Sequence, residues 1–228
     1  MSKNLLKRII TSIILLSLLF FINFSHKYIF ILSILTLGMF ICIESNRLFS
    51  KLLITKKTKN SFLNRYDGKF LILNIITFFY IFFIFCNFSY EIHKSESPVF
   101  FIYVISICFF TDIGGYVFGK TIGGKKLSKI SPNKTISGAI GSFILSIVPL
   151  ILVSNFNYLE LEFNLKNVLF CLVISLISQL GDLFISLLKR KAKIKDTGNL
   201  LPGHGGVLDR VDGIIFAVPF SYFLLKLI

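Results

Sequence analysis

The sequence predicts an all-α, polytopic integral membrane protein of about seven transmembrane helices with basic cytoplasmic loops. Three observations carry that prediction. The 228 residues are 54% hydrophobic with a mean hydropathy of +0.80, yet only 16% are charged, against roughly 25% in soluble globular chains. The 27 Phe and 8 Tyr exclude disorder, which needs few aromatic and β-branched residues. The formal charge of +14, from 25 Lys and Arg against 11 Asp and Glu, gathers between the apolar stretches rather than within them. The length allows one membrane domain and no sizeable soluble one.

A membrane span needs roughly 17–25 mostly apolar residues, and seven stretches qualify in order: 9–24, 28–43, 70–88, 99–118, 137–153, 167–188 and 213–228. The first two and the last are short, and Lys7, Arg8, Lys27 and Lys226 can extend them by snorkelling to the headgroups. A tight hairpin is expected near residues 25–27. All spans are expected to be helices, because open sheet edges find no partners in lipid. No alanine occurs before Ala139, so no small-residue cleavage site is expected and the first apolar stretch should stay attached. Cys42, Cys86, Cys108 and Cys171 all lie in apolar runs without metal-ligand spacing, so they read as small buried residues.

Orientation follows from the basic residues. With the N-terminus inside, segments 1–8, 44–69, 119–136 and 189–212 hold 21 of the 25 Lys and Arg and are therefore cytoplasmic. The chain divides into N-terminal helices over 1–98, carrying the basic loop 44–69, and a catalytic region over 99–228, carrying the loops 119–136 and 189–212. No motif for nucleic acid appears, and none is expected as a partner.

Two acids, Asp112 and Asp182, lie inside apolar stretches, where an acid at the bilayer centre costs about 2.5–3.5 kcal/mol. They precede Lys120 and Lys189 by eight and seven residues, which puts both roughly 10–12 Å from the cytoplasmic ends of their helices. Pairing with a neighbouring Lys or Arg is the plain structural alternative.

Chemistry concentrates in residues 186–212, SLLKRKAKIKDTGNLLPGHGGVLDRVD. Asp182, Ser186 and Lys189 share one helix face, and Asp209 and Asp212 share another if a helix starts near Gly206. Three carboxylates are thus expected to converge. Mg²⁺ takes a few carboxylates together with substrate phosphates and waters, and Lys189, Arg190, Lys195 and Arg210 supply phosphate-binding charge. A basic Gly-rich loop with no chemistry accounts for the cations but not for the interleaved acids or for His204. Gly114-x4-Gly119-Lys120-Thr121 satisfies the P-loop spacing, but a P-loop needs a strand before it; Gly115 and Gly119 read instead as helix-packing positions.

The run Ser186, Lys189, Arg190, Lys195, Asp196, Gly198, Pro202, His204, Gly205, Gly206, Asp209, Arg210 and Asp212 resembles the signature of the phosphatidate cytidylyltransferase family. Asp112 through Gly119 and Lys120, followed by Ser131-Pro132-Asn133-Lys134-Thr135, is similar to its upstream motifs. Two departures occur: Asn133 replaces a Lys, and Ser137 stands where the family generally has Glu. The resemblance covers the chain from Asp112 onward.

It implies transfer of the cytidylyl group of CTP to phosphatidic acid, giving CDP-diacylglycerol and pyrophosphate, with Mg²⁺ as cofactor. Implied metal ligands are Asp182 and Asp209 with Asp212 in support, and the catalytic set adds Lys189. Arg190, Lys195 and Arg210 bind phosphates beside Ser186 and Asp196, and His204 donates to a phosphate or orders the loop. Asp112, Lys120, Ser131, Lys134 and Thr135 complete the substrate pocket. The implied setting is a multi-pass protein of the cell membrane (the bacterial inner membrane), with its active site facing the cytoplasm, among membrane lipids and as a homodimer. Rival readings are another membrane phosphotransferase such as a lipid kinase, and an ion-coupled transporter using Asp112 and Asp182.

Overall fold

A computed structural model describes residues 3–53, 68–127, 131, 134–156, 159, 161–201, 203 and 205–227, with side chains described from Ile10 onward. The described residues are helical throughout apart from turns and isolated bridges, as the apolar runs require. Among the described residues, five helical stretches are long and apolar enough to cross a membrane: Lys27–Leu53, Gly68–Ser95, Pro98–Thr121, Ile136–Phe156 and Leu165–Lys191. They match five of the seven expected spans; the first expected span lies within a helix over Lys3–Phe24, and the last forms a shorter helix, Ile214–Leu227. Large side chains such as Phe21, Leu32, Ile75, Phe83, Ile140 and Leu180 are exposed, which gives these helices a lipid-facing surface.

The chain forms two compact units, residues 1–87 with 188–211, and residues 88–187 with 212–228. In the first, α1 (Lys3–Phe24) turns at residues 25–26 into α2 (Lys27–Leu53), and α3 (Gly68–Phe79) continues as a π-helical segment, Tyr80–Cys86. The buried face of α2 carries Phe30, Ile34, Gly38, Ile41, Glu44, Ser45, Leu48 and Phe49, a three-and-four spacing that puts one side of the helix inward. Gly38 admits the π segment: a Cβ there would lie 3.1 Å from both Cys86 Sγ and Ile81 Cγ2. The Cys86 thiol donates to the Ile34 carbonyl (3.6 Å). Because Leu48 and Phe49 continue the apolar face, α2 extends ten residues beyond the expected span end at residue 43, into the segment read as the loop 44–69. Residues 54–67 of that loop lie outside the described residues.

The second unit begins within α4 (Asn87–Ser95) and contains α5 (Pro98–Thr121), α6 (Ile136–Leu145) and α7 (Val148–Phe156). Most of α8 (Leu165–Lys191) and all of α10 (Ile214–Leu227) complete it, and the single-turn α9 (Leu208–Val211) belongs to the first unit. Ser97 caps α5 by accepting from Phe100 N (3.0 Å), with Pro98 in the first turn, both favourable start signals. Thr135 caps α6 by accepting from Gly138 N (3.1 Å).

Helices α5 and α6 meet backbone to backbone. A Cβ on Gly114 would lie 2.3 Å from the Gly141 carbonyl oxygen, so this approach requires glycine, as small residues permit between membrane helices. Polar bonds follow the same seam: the Ser142 hydroxyl donates to the Thr111 carbonyl (2.7 Å), and the Thr111 hydroxyl donates to Ser175 of α8 (2.9 Å). Gly114 and Gly119 both lie inside the continuous helix α5, so the P-loop spacing forms no phosphate loop.

Gly114→Ala is therefore expected to destabilise the protein by about 1–3 kcal/mol through overpacking. Gly68→Ala, where a Cβ meets nothing within 4 Å, is expected to stay within about 0.5 kcal/mol. Unfolding midpoints of the two variants in one detergent provide the comparison.

Candidate active site

The polar residues of the predicted site form two hydrogen-bonded networks, one in each unit. In the second unit, residues 125–127 fold back against residues 134–136. Leu127 N donates to the Lys134 carbonyl (2.8 Å), Ile136 N to the Lys125 carbonyl (3.0 Å), and Lys134 N to the Ser131 carbonyl (3.0 Å). Lys126 and Thr135 pair as an antiparallel bridge. The Ser137 hydroxyl donates to the Gly123 carbonyl and lies 3.0 Å from Thr135 Oγ1. Ser137, the departure from the family pattern, thus ties the loop where a carboxylate is usual.

This fold-back delivers the Lys134 ammonium to Asp182 on α8, where the two form an ion pair. The Ser186 hydroxyl, one turn along, donates to Asp182 Oδ1 (3.2 Å). The carboxyl of Asp212 also interacts with that of Asp182. Two neighbouring carboxylates repel unless a cation or proton lies with them, and here the ammonium of Lys134 pairs with one of them. Asp182 has this neighbour because Gly181 and Gly213 let α8 approach the start of α10: a Cβ on Gly181 would lie 2.9 Å from the Asp212 carbonyl, and one on Gly213 2.4 Å from Ser178 Oγ.

In the first unit, α8 ends in a Schellman turn, with Ile194 N bonded to the Lys189 carbonyl and Lys193 N to that of Arg190 (both 3.0 Å). Lys193 takes the left-handed position at φ 56°, which costs a non-glycine residue about 1–2 kcal/mol. The loop then returns towards Lys189. The Lys189 ammonium donates to Asp209 Oδ1 (2.7 Å), with side-chain exposures of 13% and 5%. Asp209 Oδ2 accepts from Thr197 N (2.8 Å), Gly206 N (3.0 Å) and the Thr197 hydroxyl (3.1 Å). Burial pushes the Asp209 carboxyl up, but the Lys189 ammonium and the Thr197 and Gly206 amides outweigh it and hold the group below its ordinary value.

A third carboxylate completes this network, and sequence reasoning did not find it. Glu44 of α2 is 3% exposed. Its Oε2 accepts from the Thr197 hydroxyl (2.9 Å) and Leu208 N (2.8 Å), and its Oε1 from Val207 N (3.0 Å). Gly206 makes room for it, since a Cβ there would lie 2.4 Å from Glu44 Oε2. The single proton of the Thr197 hydroxyl serves two carboxylates. The available signal was the helix period: Glu44 lies three residues after Ile41 and four before Leu48, on the apolar face of α2.

The other predicted residues are distributed around these networks. Asp112 and Lys120 are exposed on α5, and the Lys120 ammonium lies 5.7 Å from the centre of the Tyr116 ring. Arg190, Lys195, Asp196 and Arg210 are exposed. Asp209 and Asp212 do not share a helical face, because α9 ends at Val211; the Asp212 carboxyl accepts from its neighbour Gly213 N (2.9 Å). His204, Pro202, Pro132 and Asn133 lie outside the described residues. Among the described residues, no three His, Cys, Asp or Glu side chains form a ready-made metal cage.

The motif-bearing segment has recognisable relatives. Residues 48–228 match the cytidylyltransferase family. The chain belongs to that family. A phosphatidate cytidylyltransferase of Bacillus subtilis (strain 168) is 43% identical over 126 residues, covering 55% of this chain and 46% of the relative. Those of Staphylococcus aureus (strain COL) and Staphylococcus haemolyticus (strain JCSC1435) are 44% and 42% identical over 141 and 137 residues, covering 60% and 58% of this chain and 53% and 51% of theirs. The chain spans about half the length of the curated relatives it matches. In this cytidylyltransferase-family chain, every assigned residue from Lys120 to Asp212 falls within the matched segment, whereas Glu44 precedes it.

The lowered pKa of Asp209 gives a signed expectation. The unfolded carboxyl protonates near its ordinary value, about 3.9, and the folded one only at lower pH. The stabilisation by Asp209 is thus full above about pH 4–5 and is lost as pH falls through the folded value. Comparing unfolding midpoints of wild type and Asp209→Asn from pH 6 down to 2.5 should show a gap that closes at the acid end. A gap independent of pH contradicts the assignment.

Proposed function

We propose that the chain transfers the cytidylyl group of CTP to phosphatidic acid. A phosphate oxygen of phosphatidic acid attacks the α-phosphorus of CTP, the bond from that phosphorus to the oxygen bridging to the β-phosphate breaks, and CDP-diacylglycerol and pyrophosphate result. The observation that carries this reading is the Lys134–Asp182–Asp212 cluster within a segment matched to cytidylyltransferases. It pairs acids and cations as the joining of two anionic phosphates requires. The nucleophile is already an anion at neutral pH, so the reaction depends on positioning and charge neutralisation rather than on a strong base.

Mg²⁺ fits the donor set in chemistry: Asp182 and Asp212 offer two neighbouring carboxylates, and this ion completes its shell with waters and substrate oxygens. When bound, it would neutralise phosphate charge during transfer. Lys134 would then exchange its carboxylate for a phosphate. Lys189 already pairs with Asp209 and leaves that acid saturated with donors, so Asp209 serves as a metal ligand only when Lys189 turns to a phosphate. The family resemblance assigns Arg190, Lys195 and Arg210 to the phosphates, and Asp112, Lys120, Ser131, Thr135, Ser186 and Asp196 to substrate binding. The excess of Lys and Arg in the segments beside these residues supports a cytoplasmic-facing site. A homodimer belongs to the same proposal and rests on the family resemblance alone.

Purified protein in detergent is expected to convert CTP and phosphatidic acid to CDP-diacylglycerol and pyrophosphate, and to stop when the divalent ion is chelated. Asp182→Ala should lower turnover by about 100-fold or more. Full activity of that variant removes the assigned role, and turnover with ATP in place of CTP points to a lipid kinase instead.

A further inference from the structure

Glu44 is the one buried acid among the described residues that neither the motifs nor the family match covers, and its surroundings are unusual. A carboxylate with 3% exposure on an apolar helix is costly unless its lone pairs are occupied. All the donors named above for Glu44 come from one distant stretch of sequence, residues 197–208. None comes from a Lys or Arg side chain. Two of the donors, Val207 N and Leu208 N, lie at the entry to α9, the turn that carries Asp209. The third, the Thr197 hydroxyl, also reaches Asp209 itself. Gly198 and Gly206 each lack a Cβ where one would lie 2.5 Å and 2.4 Å from the Glu44 oxygens. The loop is therefore shaped around this carboxylate.

We infer that Glu44 is a positioning residue: it anchors the 197–208 loop to α2 through Thr197, Val207 and Leu208, and so fixes the Asp209 carboxylate against Lys189. Glu44 touches no reacting group. It acts by removing the freedom of the turn that bears Asp209, and a misplacement of about 1 Å in such a group costs on the order of 100-fold in rate. Gln in its place retains one oxygen for Leu208 N and Thr197 but turns an amide towards Val207 N, so it should hold the loop partly.

This role rests on the transfer reaction proposed above, and the test separates the two. Hydrogen exchange and steady-state kinetics are measured on the full chain in detergent for wild type, Glu44→Gln and Glu44→Ala. Exchange of amides in 197–209 should accelerate about tenfold or more in Glu44→Ala, with amides of α5 and α6 unchanged. Turnover number should fall about 100-fold at an unchanged KM for phosphatidic acid, and Glu44→Gln should lie between the two in both readouts. Unchanged exchange in 197–209, acceleration spread equally over α5 and α6, or wild-type turnover with a loosened loop each overturns the positioning role. If Glu44→Ala does not accumulate as folded protein, Thr197→Val removes the shared hydroxyl and should loosen the same amides, with Thr197→Ser restoring them; no change in Thr197→Val overturns the role equally. Wild-type protein without cytidylyl transfer, but with exchange that responds to Glu44, contradicts the reaction and leaves the anchoring intact.

Discussion

A carboxylate carried on an apolar helix must be neutralised where it stands, because lipid and packed side chains offer it no water. Each unit of this chain meets that requirement in its own way. Asp182 is met by a lysine brought from a neighbouring loop and by the hydroxyl of Ser186. Glu44 is met by two backbone amides and one hydroxyl, and Asp209 by one ammonium and a ring of loop donors. The described loop residues answer these demands: Lys134 reaches Asp182 of α8, and the amides of Val207 and Leu208 reach Glu44 of α2.

The same constraint links stability to chemistry. An acid satisfied by fixed amides, as Glu44 is, has no cation to exchange and suits anchoring. An acid paired with a lysine, as Asp182 and Asp209 are, holds a positive charge that, in the proposed reaction, a metal ion would replace as the lysine turned to a phosphate. Breaking a buried pair by removing one partner is costly, so exchange of one charged partner for another is the economical route for such a site. Small residues permit the close approaches: a methyl group at Gly181, Gly206 or Gly213 would collide with the Asp212 carbonyl, Glu44 or Ser178 respectively.

Much of this was legible in the sequence. Long apolar runs separated by basic segments sufficed to locate the five long helices, and the dense signature around Lys189–Asp212 lies in the segment that matches the family. Three features were not legible, each for a physical reason. Glu44 follows an apolar run immediately, and hydropathy ends the span there although the helix period carries the buried face on to Leu48. The partner of Asp182 is Lys134, 48 residues away, and only the folded loop brings them together. Asp209 and Asp212, three apart, belong on one helical face by spacing alone, but the single-turn α9 ends at Val211, before Asp212.

The central claim is that the ammonium on Asp182 marks the place of an exchangeable cation. Locating Mn²⁺ by anomalous scattering in crystals grown with CTP tests it most directly. The account predicts a metal at coordination distances of about 2.1 Å from carboxylate oxygens of Asp182 and Asp212, with Lys134 turned away to a phosphate. A metal held by the nucleotide without either acid, with the Lys134–Asp182 pair intact, would contradict it.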